Sequence, residues 1–235
     1  MDLGPKFRDY VYCDDVYTAE EIWNQGYIIT SNDILYAIRM GALSCVRWII
    51  SDLNYNIPES ALISALFYGQ HTLACYLLRM HAPLHLSEEY FQGYQWSTSY
   101  APLTVNEIAM YRSIGINLEL TSVSGFITVV TAICNEHNIT IPQSYLYLWL
   151  RLYRNDHKRT RIQNEISYVL QHQMVKLTDA KLIALLIKLG LYHPEYQCIQ
   201  ADIAEISTAC ETTKWLFQYY LSDTEVTRCI QQLST

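Results

Sequence analysis

The chain has 235 residues, 51% of them apolar and 17% charged, which is enough to bury a core and far from the composition of a disordered chain. A formal charge of −7 argues against a general nucleic-acid binder, which needs a basic face to displace counterions from phosphates. Twenty tyrosines beside only eight glycines and six prolines describe packed elements joined by short connections, and tyrosine suits half-buried positions and interfaces equally.

Met1 to Asp9 lacks the basic-then-apolar order of a secretory signal, and Asp2 stands where N-myristoylation needs glycine, so a cytoplasmic protein is expected. Residues 1–31 are expected to form an N-terminal cap, in which Ala19 to Tyr27, with Ile22, Trp23 and Gly26, reads as a degenerate helix. From Asn32 the chain repeats itself at an offset of 28: Asn32 to Ile50 lies over Ser60 to Leu78. Ala37 then meets Ala65, Gly41 meets Gly69, Trp48 meets Tyr76, and Ile49-Ile50 meets Leu77-Leu78. Each copy predicts a short helix, a tight turn at the glycine and a second helix with apolar residues at helical spacing. The alanine lets the helices approach, the glycine takes up a backbone conformation that a side chain resists, and the aliphatic pair fills the space between copies.

The repeats span 32–120, with an aromatic-rich insertion at about 86–104. There Tyr90 to Pro102, including Tyr94 and Trp96, interrupts the helical period. Its tyrosine, tryptophan, serine and glycine are the chemistry of an adaptable binding loop; the same residues could fold back as a cap. Ile108 to Asn117 and Leu182 to Leu191 predict further helices ending at glycine, and Ile206 to Phe217 predicts a contracted hairpin. Residues 121–235 are therefore expected to hold further degenerate helical repeats and a C-terminal cap. The longest apolar stretches, Val123 to Cys134 and Leu182 to Leu191, are too short or carry Lys188, so no membrane span is expected. Arg151, Arg154, Lys158, Arg159 and Arg161, with His157 among them, form a basic run that reads as a solvated face or loop, the competing reading being contact with RNA, anionic lipid or an acidic partner.

Seven cysteines stand singly, with no CxxC pair, and several lie inside apolar runs. They read as reduced thiols used as small core residues. The sequence has no GxSxG, P-loop, GxGxxG or HExxH. Cys134 and His137 are close in sequence, but a nucleophile needs its base close in space. Cys13-Asp14-Asp15 cannot converge easily on a metal. Neither catalysis nor a cofactor or metal is expected.

The 28-residue unit resembles the ankyrin repeat. Leu62 and Ala65 take the family's inner-helix core places, Gly69 the turn, Leu73-Ala74-Cys75-Tyr76-Leu77-Leu78 the outer helix, and Met80-His81-Ala82-Pro83 the closing place. The Thr-Pro opening is missing and the period is shorter than the usual ~33 residues, so the segments between hairpins are expected to be trimmed. An arginine or lysine before tryptophan in the outer helix, as in Arg47-Trp48, is similar to ankyrin proteins of large DNA viruses. The resemblance implies an all-α, degenerate ankyrin-like helical-hairpin solenoid that binds a protein partner and is not an enzyme. For a viral chain, that partner is a host factor met in the host cytoplasm.

In such a solenoid the inner helices leave a concave face for binding. The family's solvent-facing places fall on Tyr36, Arg39 and Met40 in one copy and on Ser64, Phe67 and Tyr68 in the next. The competing reading packs Tyr36 and Phe67 against an unrecognised neighbouring helix. The competing function is a structural subunit of a viral particle or other large assembly. With Phe67 on an open face, Gly69→Val is expected to damage the fold more than Phe67→Ala.

Overall fold

A computed structural model describes residues 3–86, 101–153, 159–193, 196 and 199–212. Among these the chain is all-α: the named elements are helices, and the one β interaction is an isolated parallel bridge between Leu177 and Ile199. No helix among the described residues is long and apolar enough to cross a membrane. The chain divides into two compact units, Met1–Ala132 and Ile133–Thr235.

The first unit opens with three helical hairpins: α1 (Gly4–Tyr12) with α2 (Val16–Asn24), α3 (Ser31–Met40) with α4 (Leu43–Arg47), and α5 (Ala61–Phe67) with α6 (His71–Arg79). α3 packs on α1 and on α5, and α2 packs on α4. α4 widens at Trp48–Asp52 into a π-helical turn, closed by a bond from the Leu53 N–H to the Trp48 carbonyl at 3.0 Å. α7 (Val105–Arg112) then packs on α6. α8 (Gly125–Glu136) starts in this unit.

Local chemistry sets these boundaries. Asp15 caps α2, accepting from the Thr18 N–H at 3.2 Å. Thr30 with Asp33, and Thr104 with Glu107, form capping boxes at the starts of α3 and α7. Left-handed residues close the hairpins: Asp14, Gly41 and Gly69 between the paired helices, and Gly26, Asn54 and His81 after the second helix. In each between-helix turn the following N–H reaches the carbonyl five residues back, from Asp15 to Tyr10 at 3.0 Å, Ala42 to Ala37 at 3.0 Å and Gln70 to Ala65 at 2.8 Å.

The core repeats with the turns. Phe7, Ile34 and Leu62 occupy equivalent buried places, as do Val11, Ile38 and Leu66 on the inner helices, and Ala19, Val46 and Ala74 or Ile22, Ile49 and Leu77 on the outer ones. The first hairpin thus follows the plan of the two that the sequence offset of 28 had paired. Polar bridges join one hairpin to the next. The Asp14 carboxylate accepts from the Ser44 N–H (3.1 Å) and the Cys45 N–H (2.9 Å), so one turn caps the neighbouring outer helix. Gln70 Nε2 donates to the Arg39 carbonyl at 3.2 Å.

The second unit contains α9 (Ser144–Tyr153), α10 (Arg159–Gln171), α11 (Ala180–Lys188) and α12 (Ile203–Thr212). α9 packs on α10 and α11 on α12, around buried Leu146, Trp149, Ile162, Ile166, Ile183 and Ile206. Its connections pair through backbone: the Ile141 N–H donates to the Met174 carbonyl at 2.8 Å, and the Gln200 N–H to the Leu177 carbonyl at 2.7 Å. Asp179 caps α11, accepting from the Lys181 N–H at 2.9 Å, and also receives the Tyr147 hydroxyl at 2.7 Å.

Candidate functional site

Because α1, α3 and α5 lie in sequence, each against the next, side chains on one inner helix can reach the next. Two arginines do so. The Arg8 guanidinium stands 6.0 Å from the centroid of the Tyr36 ring, and that of Arg39 stands 5.7 Å from the centroid of the Tyr68 ring. Both are cation–π distances. Tyr36 and Arg39, three residues apart, share a face of α3, so the two pairs form one oblique stripe across three helices. Met40 lies beside it, 38% exposed.

One end of the stripe is fixed from below by Asp33. Its Oδ1 accepts from Arg8 Nε at 2.9 Å, and its Oδ2 accepts from the Tyr27 hydroxyl (2.8 Å), the Thr30 N–H (3.0 Å) and Thr30 Oγ1 (2.6 Å). Burial pushes the Asp33 carboxyl up, but hydrogen bonds from Thr30, Arg8 and Tyr27 outweigh it and hold the group below its ordinary range. The hydrogen bond to Asp33, followed by its charge, raises Arg8 in turn. Arg39 is held differently. It is half-buried, its Nε is buried without a hydrogen-bond partner, and among the described residues no carboxylate pairs with it.

Of the residues expected on the open face, Tyr36, Arg39 and Tyr68 are half-buried and Met40 is exposed. Phe67 and Ser64 are not on an open face: Phe67 is 6% exposed and Ser64 fully buried. α5 packs on α3 and on α6, Phe126 of α8 sits edge-on to Phe67 with ring centroids 5.9 Å apart, and every residue of α5 is buried. The placement of these two is therefore corrected in favour of packing on a neighbouring helix. Tyr94 and Trp96 lie outside the described residues, as do Arg154, His157 and Lys158 of the basic run. Arg161 Nε lies 3.4 Å from Glu165 one turn away.

Arg8 was not singled out in the sequence. The signal was present in the spacing of Phe7, Val11, Ala19 and Ile22, but Tyr10 and Asp14 stand where the later copies have alanine and glycine. Identity was lost while the apolar register was kept.

Other chemistry-bearing groups are packed as structure. His71 Nδ1 lies 3.0 Å from the Tyr111 hydroxyl and its Nε2 lies 3.8 Å from Glu107. Burial lowers the His71 pKa against the pull of Glu107, and burial raises Tyr111 well above its ordinary value. Burial also pushes the thiols of Cys45 and Cys134 up to about 12 and that of Cys75 up to about 11. That is the reverse of an activated nucleophile. No group of three or more metal-ligating side chains occurs among the described residues. A cleft of about 430 Å³ in the second unit is lined by Asn135, Asn138, Thr140, Gln171, Gln173 and Lys176, among others.

The fold and the stripe define an all-helical chain with an ordered arginine–tyrosine face. Comparison with protein-family models, with curated proteins and with solved structures gives no match to it.

Proposed function

We propose that this chain is a non-enzymatic protein-binding module, built as a degenerate ankyrin-like stack of helical hairpins, that holds its partner on the face of α1, α3 and α5. The observation that carries the reading is the pair of guanidiniums at cation–π distance from tyrosine rings, Arg8 over Tyr36 and Arg39 over Tyr68. Arginine and tyrosine are among the side chains enriched in binding hot spots, and a contact made before binding removes part of the rotamer entropy that binding would otherwise cost. The recurrence of buried places at Phe7, Ile34 and Leu62, with left-handed turns at Asp14, Gly41 and Gly69, supports the repeat architecture. The Arg47-Trp48 pattern supports a viral chain with a host factor as partner.

The test is affinity capture from the native cell type with the wild type and with Tyr36→Ala/Tyr68→Ala, the fold of both checked by circular dichroism. Loss of one dominant partner in the variant is the expected result, whereas capture of every partner by both proteins refutes the face. A second reading, a subunit of a larger assembly, is favoured by separate exposed apolar residues: Tyr12, Tyr17 and Ile28 near the start, and Val105 and Leu120 later, all at least 64% exposed. Light scattering separates the two readings, because the module stays at low mass as its concentration rises and the subunit grows.

A further inference from the structure

We infer that the partner offers this face an acidic protein segment, whose carboxylates are received by Arg39 and Arg8. The inference rests on the binding face proposed above and adds the chemistry of what binds there. A guanidinium presents its donors in a planar fork that matches a carboxylate in two parallel hydrogen bonds. At Arg39 the guanidinium stands over the Tyr68 ring, 5.7 Å from its centroid. Its Nε is buried while the residue as a whole is half-buried, so an incoming carboxylate is received by the terminal nitrogens. At Arg8 the Nε is taken by Asp33, yet the side chain remains 48% exposed, so its terminal nitrogens can face a ligand.

The local charge has the opposite sign to the chain. The protein carries −7 overall, while on this stripe the one carboxylate, Asp33, is 1% exposed and turned inward to Arg8, Tyr27 and Thr30. An acidic segment is thus attracted here against the sign of the overall charge, which favours one register. Two arginines are too few to displace the counterions of a nucleic acid against that overall charge. Each arginine leans from one inner helix towards a tyrosine on the next, so the two forks are separated by about one helix spacing, roughly 8–10 Å. The fitting segment carries two carboxylates at about that distance, with an apolar side chain between them to cover Met40.

Fluorescence anisotropy on the full chain tests this with three labelled probes: a short peptide of glutamates and leucines, its glutamine counterpart, and a single-stranded oligouridylate of similar length. The glutamate peptide is expected to bind about tenfold more tightly than the glutamine peptide, and more weakly as salt rises. Arg39→Gln should remove about tenfold of that affinity and Arg39→Lys somewhat less, because lysine keeps the charge without the fork. Arg47→Gln, on the exposed side of α4, should change nothing. Thermal melts of the two Arg39 variants show whether they fold; if Arg39→Gln does not, the ratio of Arg39→Lys to wild type decides. Equal affinity for the two peptides, equal losses from Arg39→Gln and Arg47→Gln, or tighter binding of the oligouridylate each overturns the inference. A cellular partner lost by Tyr36→Ala/Tyr68→Ala but retained by Arg39→Gln leaves the face standing and refutes only its acidic ligand.

Discussion

The hairpins between Gly4 and Arg79 and the helices after Ile133 are both helical and both well buried, yet they are held in different ways. In the first region one arrangement recurs. Phe7, Ile34 and Leu62 sit at equivalent places, and the turns at Asp14, Gly41 and Gly69 follow at the same spacing. In the second, the left-handed residues Asn138, Gln173 and Gly190 keep no common spacing, and single polar bridges fix the connections. Gln143 alone accepts from the Thr178 N–H (3.0 Å) and the Asp179 N–H (3.2 Å) and donates to Thr178 Oγ1 (2.8 Å). A recurring arrangement can be found by laying a sequence over itself. A bridge used once leaves no such trace.

The largest expected effect breaks the first region at its buried edge. Phe67→Ala removes a ring packed on Phe126 and should cost about 3–5 kcal/mol in urea unfolding. Gly69→Val, which forces a branched side chain into a left-handed turn (φ +68), should cost about 2 kcal/mol. The ranking is the reverse of that expected with Phe67 on an open face; if Gly69→Val proves the more damaging, α5 is not enclosed as described.

Next comes Asp33→Asn, which weakens four hydrogen bonds to one carboxylate and should cost about 2 kcal/mol at neutral pH. The sign of its pH dependence follows from the depressed carboxyl. The unfolded chain takes up the proton first as pH falls, so the stabilisation is complete above the ordinary value of 3.8 and is lost on falling through the folded value. Urea unfolding across pH 7 to about 3 should show a shallower acid limb in the variant. An unchanged limb would mean that Asp33 does not carry the charge assigned to it.

The smallest effect sharpens the contrast from the other side. Gln143→Ala should cost about 1 kcal/mol and speed hydrogen exchange at the Thr178 and Asp179 amides, with the Ala42 and Gln70 amides unaffected. Spread of the effect into both regions would show that the bridges of the second unit are not local.

Helix existence and the two central hairpins were legible because their signals lie within one turn or one repeat: the glycines at 41 and 69, the alanines at 37 and 65, and aliphatic residues at helical spacing. The first hairpin was half legible. Its apolar register survives, but Asp14 replaces a glycine, which is tolerated because aspartate adopts left-handed backbone more readily than most residues and because its carboxylate serves as a cap for α4. Of the candidate face, the ankyrin resemblance implied Tyr36, Arg39, Met40 and Tyr68 on one side of the inner helices. It could not say what covers that side.

Sequence by itself thus determined the helical class, the spacing of the repeated hairpins and the residues that line their common core, all of which follow from local backbone preference and apolar period. Only the tertiary structure decided that Phe126 of α8 packs on Phe67, that Ser64 is buried, that Arg8 joins Tyr36 on the face, and that Arg39 lies over Tyr68 with its Nε unpaired. These depend on which distant helix arrives at a given surface, a choice made by the packing of the whole unit and written in no single stretch of the chain.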